Sequence, residues 1–104
     1  MAAKLILRTD TERFTAEMPT PQCELIATII GLRLGRGLPT PFLMESADGD
    51  RSQHLEITTA GDYSVHFGPE GGSTVPTERL VQDATESDQY IDDGGYIRVT
   101  TEDL

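Results

Sequence analysis

The sequence predicts a mainly β fold, a small antiparallel β-sandwich or barrel built from hairpins, with room for one short helix. Three observations carry this expectation. Apolar and polar residues alternate at period two in residues 13–18 and 63–67, as they do in strands with one buried face. Hairpin-type turns recur at Asp48-Gly49 and Asp92-Asp93-Gly94-Gly95, each between runs that read as strands. The most apolar stretch holds Thr28-Ile29-Ile30-Gly31, a poor helix core because β-branched side chains are stiff and glycine is entropically costly there. With 104 residues and 11.4 kDa, residues 1–104 suffice for one hydrophobic core and one domain.

Taken in order, residues 4–8 are short, apolar and followed by Thr9-Asp10, which suits a strand. Residues 13–18 place Phe14, Ala16 and Met18 on one face and Arg13, Thr15 and Glu17 on the other, making them the hairpin partner of the first strand. Pro19-Thr20-Pro21 ends that hairpin and opens an ambiguous segment, residues 22–34. Thr20 as a cap, Pro21 in the first turn and a Leu25-Ile29-Leu32 stripe favour a helix there. The branched residues and the alternation of Ile30, Leu32 and Leu34 with Gly31, Arg33 and Gly35 favour a strand, and the strand is preferred. Residues 35–41 read as a loop, since two prolines cannot donate to a ladder. Residues 42–46 and 51–57 form a second hairpin turning at Asp48-Gly49.

Thr58-Thr59-Ala60-Gly61-Asp62 leads into Tyr63-Ser64-Val65-His66-Phe67. These residues resemble the approach to a strand in many β-sandwich and jelly-roll modules, where a tyrosine at the strand entrance anchors the preceding corner. The resemblance spans about eight residues and implies architecture, not activity. Residues 68–74 read as a glycine-rich loop, residues 78–84 as a short helix, and Tyr90-Ile91 with residues 96–100 as a last hairpin.

Composition excludes several classes of function. Eighteen acidic side chains face eight basic ones, a net charge of −10, which argues against direct nucleic-acid binding because that depends on Lys and Arg displacing counterions. The largely apolar run 25–32 is far shorter than the roughly 20 residues of a spanning helix. The start of the chain has no apolar core of a secretory signal, so no signal peptide and an intracellular site of synthesis are expected. One cysteine, Cys23, excludes an internal disulfide framework, and adding His54 and His66 gives three ligands at unmotivated spacing, so no metal or cofactor is expected. Asp48-Gly49-Asp50 imitates a calcium loop but has Gln53 where glycine is required and Thr59 where a bidentate glutamate is required. A single lysine among eight basic residues and thirteen threonines fit either a high-salt host or a GC-rich genome.

Charge is also unevenly placed. Residues 1–44 sum to +1 and residues 45–104 to −11, with no acidic residue from Leu25 through Met44. Arg33, Arg36, Leu38 and Phe42 in that stretch are the candidate protein contacts, either for a foreign acidic partner or for the acidic half of a neighbouring copy. Cys23 sits beside Glu24, the wrong charge for an activated thiolate, and no catalytic set is recognisable. The expected function is therefore a non-enzymatic structural or adaptor subunit, packing against self-copies or a larger scaffold such as a virus particle, where it would serve as a decoration, head-completion or tail component. The alternative is an acidic inhibitor or nucleic-acid mimic that blocks the basic groove of a nucleic-acid enzyme, with Glu78, Asp83, Glu86, Asp88, Asp92 and Asp93 on one face.

Overall fold

A computed structural model describes residues 2–68 and 76–104. Its elements are β1 (Ala2–Arg8), β2 (Arg13–Pro19), α1 (Thr20–Gly35), β3 (Thr40–Ser46), β4 (Ser52–Ile57), a 3-10 turn (Ala60–Asp62), β5 (Tyr63–His66), α2 (Thr77–Asp92) and β6 (Ile97–Thr101). The strands build two three-stranded sheets, ordered β2-β1-β5 and β4-β3-β6. α1 packs on β1, β2 and β3, and α2 packs on α1. The domain is thus α/β, rich in strands, with two long helices where the sequence leaves room for one short one.

The first two predicted hairpins form. β1 and β2 pair antiparallel from Ala2 opposite Pro19 to Arg8 opposite Arg13, and the turn is held by Thr9, whose Oγ1 accepts the Glu12 N–H at 2.9 Å. Ala3, Leu5 and Leu7 of β1 and Phe14, Ala16 and Met18 of β2 enter the core as alternation requires. β3 and β4 pair antiparallel with Phe42 opposite Leu55, turning through Gly49, whose φ of 77° suits glycine. β3 begins at Thr40 and so takes in Pro41, where the sequence predicts a loop. The Ser46 N–H bonds the Arg51 carbonyl; alternation then makes 44/53, 42/55 and 40/57 the hydrogen-bonded pairs and leaves Pro41 opposite Glu56 in a pair that needs no N–H.

Two expectations are corrected. Residues 22–34 lie in α1, not in a strand. Cys23, Ile26 and Ile30 face the sheets, while Ile29, flanked by Leu25 and Leu32, faces α2. A helix covered on two sides has no clean apolar stripe, which is why its period is blurred. Thr28 is accommodated by donating its hydroxyl to the Glu24 carbonyl one turn back. The helix stops where Gly37, at φ 72°, donates to the Leu34 carbonyl and Leu38 to the Arg33 carbonyl, a Schellman cap.

The second correction concerns the C-terminal hairpin. Tyr90 and Ile91 are the last turn of α2, which begins at Thr77 and runs well past the short helix expected over 78–84. Gly94, at φ 102°, donates to the Ile91 carbonyl and Gly95 to the Tyr90 carbonyl, so Asp93-Gly94-Gly95 is a second Schellman cap and not a hairpin turn. β6 accordingly pairs parallel to β3, with Val99 opposite Met44.

At the seam between the sheets, side chains of the C-terminal segment stand in for a ladder. Thr15 of β2 donates its N–H to Asp103 Oδ2 at 2.6 Å, and its carbonyl accepts the Thr101 hydroxyl at 2.7 Å. The corner before β5 is pinned by Asp62, whose Oδ2 accepts from Thr58 and Thr59. Those hydrogen bonds hold the carboxyl below its usual range against the opposing pull of partial burial. Tyr63 itself packs half-buried on the core. No helix among the described residues is long and apolar enough to cross a membrane. The loop expected over 68–74 lies almost wholly outside the described residues.

Candidate functional site

Arg33 in the last turn of α1 and Arg36 at its C-cap meet Asp88 and Asp92, one turn apart on α2. Arg33 is 5% exposed. Its Nε donates to the Pro39 carbonyl at 2.8 Å, and its Nη1 donates to Asp88 Oδ1 at 2.6 Å and Asp92 Oδ1 at 2.9 Å. Arg36, half exposed, donates to the second oxygen of each carboxylate, reaching Asp92 Oδ2 from Nη2 at 3.3 Å. Every carboxylate is shared by two guanidiniums, so the four charges cancel as a unit. The hydrogen bond from Arg33, then the charge of Arg36, holds the Asp92 carboxyl below its ordinary range, with burial opposing. The hydrogen bond to Asp88, then its charge, raises Arg36 above its ordinary value.

The four predicted contact residues therefore separate. Arg33 is buried in this clasp, and Phe42 is fully buried in the core. Leu38 is half-buried and supplies a backbone N–H to the α1 cap. Arg36 retains solvent exposure, but its charge is already matched. The positive patch read from the absence of acids between Leu25 and Met44 is filled by acids distant in sequence.

An open, partly apolar surface lies on the other flank of the helix pair. A groove of about 260 Å³ runs between α1 and α2 and ends on β6, lined by Leu25, Ile29, Tyr90, Tyr96 and Ile97 among others. A neighbouring hollow of about 400 Å³ continues it past Pro21, Leu25 and Leu80. Tyr90 is 62% and Tyr96 36% exposed. Each ring has one close neighbour. Tyr90 lies so close on Gly95 that any side chain there would collide with the ring, and Tyr96 meets the edge of His54 at 5.8 Å. Glu86, four residues before Tyr90, shares its flank of α2, and Asp83 lines the hollow with Arg79 at 3.8 Å.

The remaining chemical candidates fall in separate places. Cys23 is buried in the core, and burial, with Glu24 adding to it, pushes its thiol up to about 11. His54 stands on β4 against Tyr96, and His66 is exposed at the end of β5. Asp48 accepts from the Ser46 hydroxyl at 2.6 Å and the Asp50 N–H at 3.0 Å, and these bonds hold it below the usual range, as a turn residue does. Among the described residues no group of three or more His, Cys, Asp or Glu is placed to hold a metal ion. Asp88 and Asp92 do not share an outer acidic face with Glu78 and Glu86, because both are turned into the clasp.

Comparison with protein-family models, with curated proteins and with solved structures finds no match. The sequence does not single out Tyr90 or Tyr96 as contacts, and it places Asp88 and Asp92 on an outer acidic face, not in a clasp with Arg33 and Arg36. One signal was available: Arg33/Arg36 at spacing three and Asp88/Asp92 at spacing four are helix-neighbour spacings. They become visible only once both segments are read as helices.

Proposed function

We propose that the protein is a non-enzymatic binding protein whose target is a cationic protein surface, such as the basic groove of a nucleic-acid enzyme. The observation that carries this reading is the contrast between the clasp and the rest of the surface. Buried Arg33 and half-exposed Arg36 are neutralised within the clasp, and Lys4, Arg79 and Arg98 each pair with a nearby carboxylate. Arg8, Arg13 and Arg51 are the basic side chains without an ion pair among the described residues, whereas most of the carboxylates have none. Such a field speeds encounter with a cationic partner. The Tyr90–Tyr96 groove then supplies exposed aromatic side chains of the type that dominates binding energy at interfaces. A literal mimic of a phosphate row fits less well, since Glu78 and Glu86 stand about 12 Å apart along α2.

The test is surface plasmon resonance of the immobilised chain against purified cationic nucleases and DNA-binding enzymes across a salt series. Binding that weakens through the on-rate as salt rises, and through the off-rate in Tyr90→Ala, supports the reading. Failure to retain any such protein at low salt refutes it.

A second reading, a small β-rich subunit or adaptor of a larger assembly such as a virus particle, loses the free basic patch that motivated neighbour-to-neighbour docking. One observation still favours it, the open outer edge of β4.

A further inference from the structure

We propose that β4 pairs edge to edge with β4 of a second copy of this chain, antiparallel and centred on Leu55, to give a continuous six-stranded sheet. The inference deepens the subunit reading and does not depend on the helix groove. β4 is the outer strand of its sheet, and among the described residues no backbone hydrogen bond occupies its other side. Open edges invite another strand unless they are blocked. The molecule blocks the β2 edge at Thr15 with Asp103 and Thr101, and β5 is only four residues long. β4, by contrast, is six residues without lysine, proline or bulge, and Glu56 is its one formally charged side chain.

Parity decides which groups are offered. Because Gln53, Leu55 and Ile57 bond towards β3, the N–H and C=O groups of Ser52, His54 and Glu56 point to the open edge. An antiparallel partner must pair edge-facing residues with edge-facing residues. Three nearby registers satisfy this, and charge separates them. Pairing Glu56 with Glu56 of the copy sets like charges opposite, which is destabilising. Pairing His54 with His54 sets two imidazoles opposite and forms no carboxylate contact there. The register about Leu55 pairs His54 with Glu56 of the copy and Glu56 with its His54, so the imidazole–carboxylate pair occurs twice in one isologous contact. His54 and Glu56 are both exposed and available for this. The same register brings the two Leu55 side chains together on the inner face.

The experiment is light scattering during size-exclusion chromatography from micromolar to millimolar chain, with register tested by cross-linking. A mass rising to twice 11.4 kDa is expected, and a chain that stays monomeric throughout overturns the proposal. Glu56→Pro deletes an edge N–H that β3 does not use and is expected to abolish the dimer. Glu56→Lys, which faces His54 with a cation, should weaken it by about tenfold or more. A dimer untouched by both overturns the proposal. For register, His54→Cys and Glu56→Cys chains are oxidised separately and mixed. A disulfide that forms only in the mixture supports the Leu55-centred pairing, and cross-linking of Glu56→Cys alone overturns it.

Discussion

α1 and α2 are each sixteen residues long, start behind a proline and stop at a glycine in the left-handed region. They use that shared design in opposite ways. α1 is covered by both sheets on one side and by α2 on another, so apolar residues occur around much of its circumference. α2 buries a single stripe through Ala84, Asp88 and Ile91 and turns Glu78, Gln82, Glu86 and Gln89 outward. The helix that reads worst as a helix is the central one, and the one that presents a surface obeys amphipathic rules. The two are joined by charge as well as apolar contact, which makes the clasp the point at which the comparison can be broken.

Arg33→Ala should be the most damaging single change. It leaves Asp88 buried with only the half-exposed Arg36 as partner, and breaking such a pair costs about 3–5 kcal/mol, much of the stability of a domain this size. Urea unfolding followed by circular dichroism measures it, and a loss under 1 kcal/mol would mean that water reaches the clasp freely. Next, Ile30→Ala, at a fully buried position of α1, should cost about 2–5 kcal/mol, whereas Tyr90→Ala on the open flank of α2 should shift stability by about 0.5 kcal/mol or less. Equal effects at the two sites would erase the distinction between the helices.

Acid should loosen the clasp. Asp92 has a folded value lowered from the usual 3.8, so its contribution is complete above that value and is lost as pH falls through the lower folded one. Thermal unfolding between neutral pH and pH 3 should therefore show a declining Tm whose slope is shallower in Asp92→Asn. The smallest expected effect is a gain. Gly31 is exposed within α1, has no positive φ and has open space around a would-be Cβ, so Gly31→Ala should stabilise by about 0.5–1 kcal/mol. Cys23 gives an independent check on α1: the folded protein should resist thiol reagents at pH 8 and react at once when unfolded.

Legibility followed the locality of the signal. The first two hairpins and β5 could be read because alternation and turn residues are local properties, visible in Phe14-Thr15-Ala16 or Asp48-Gly49. The glycine pair at Gly94-Gly95 was equally visible, but a hairpin turn and a helix cap both ask for glycine at positive φ, and only the paths of the flanking chains separate them. Arg33 and Arg36 were recognised as unusual, and their role was not, because their partners lie more than fifty residues away.

Composition and local pattern alone settled the acidic charge, the N-terminal and central hairpins and the absence of an apolar run long enough for a membrane-crossing helix. The helical state of residues 20–35, the parallel β6 and the fate of the two arginines were decided by tertiary structure. A segment buried on two sides loses the periodicity that would announce it, and a charge acquires its meaning only from the charge that folding sets beside it.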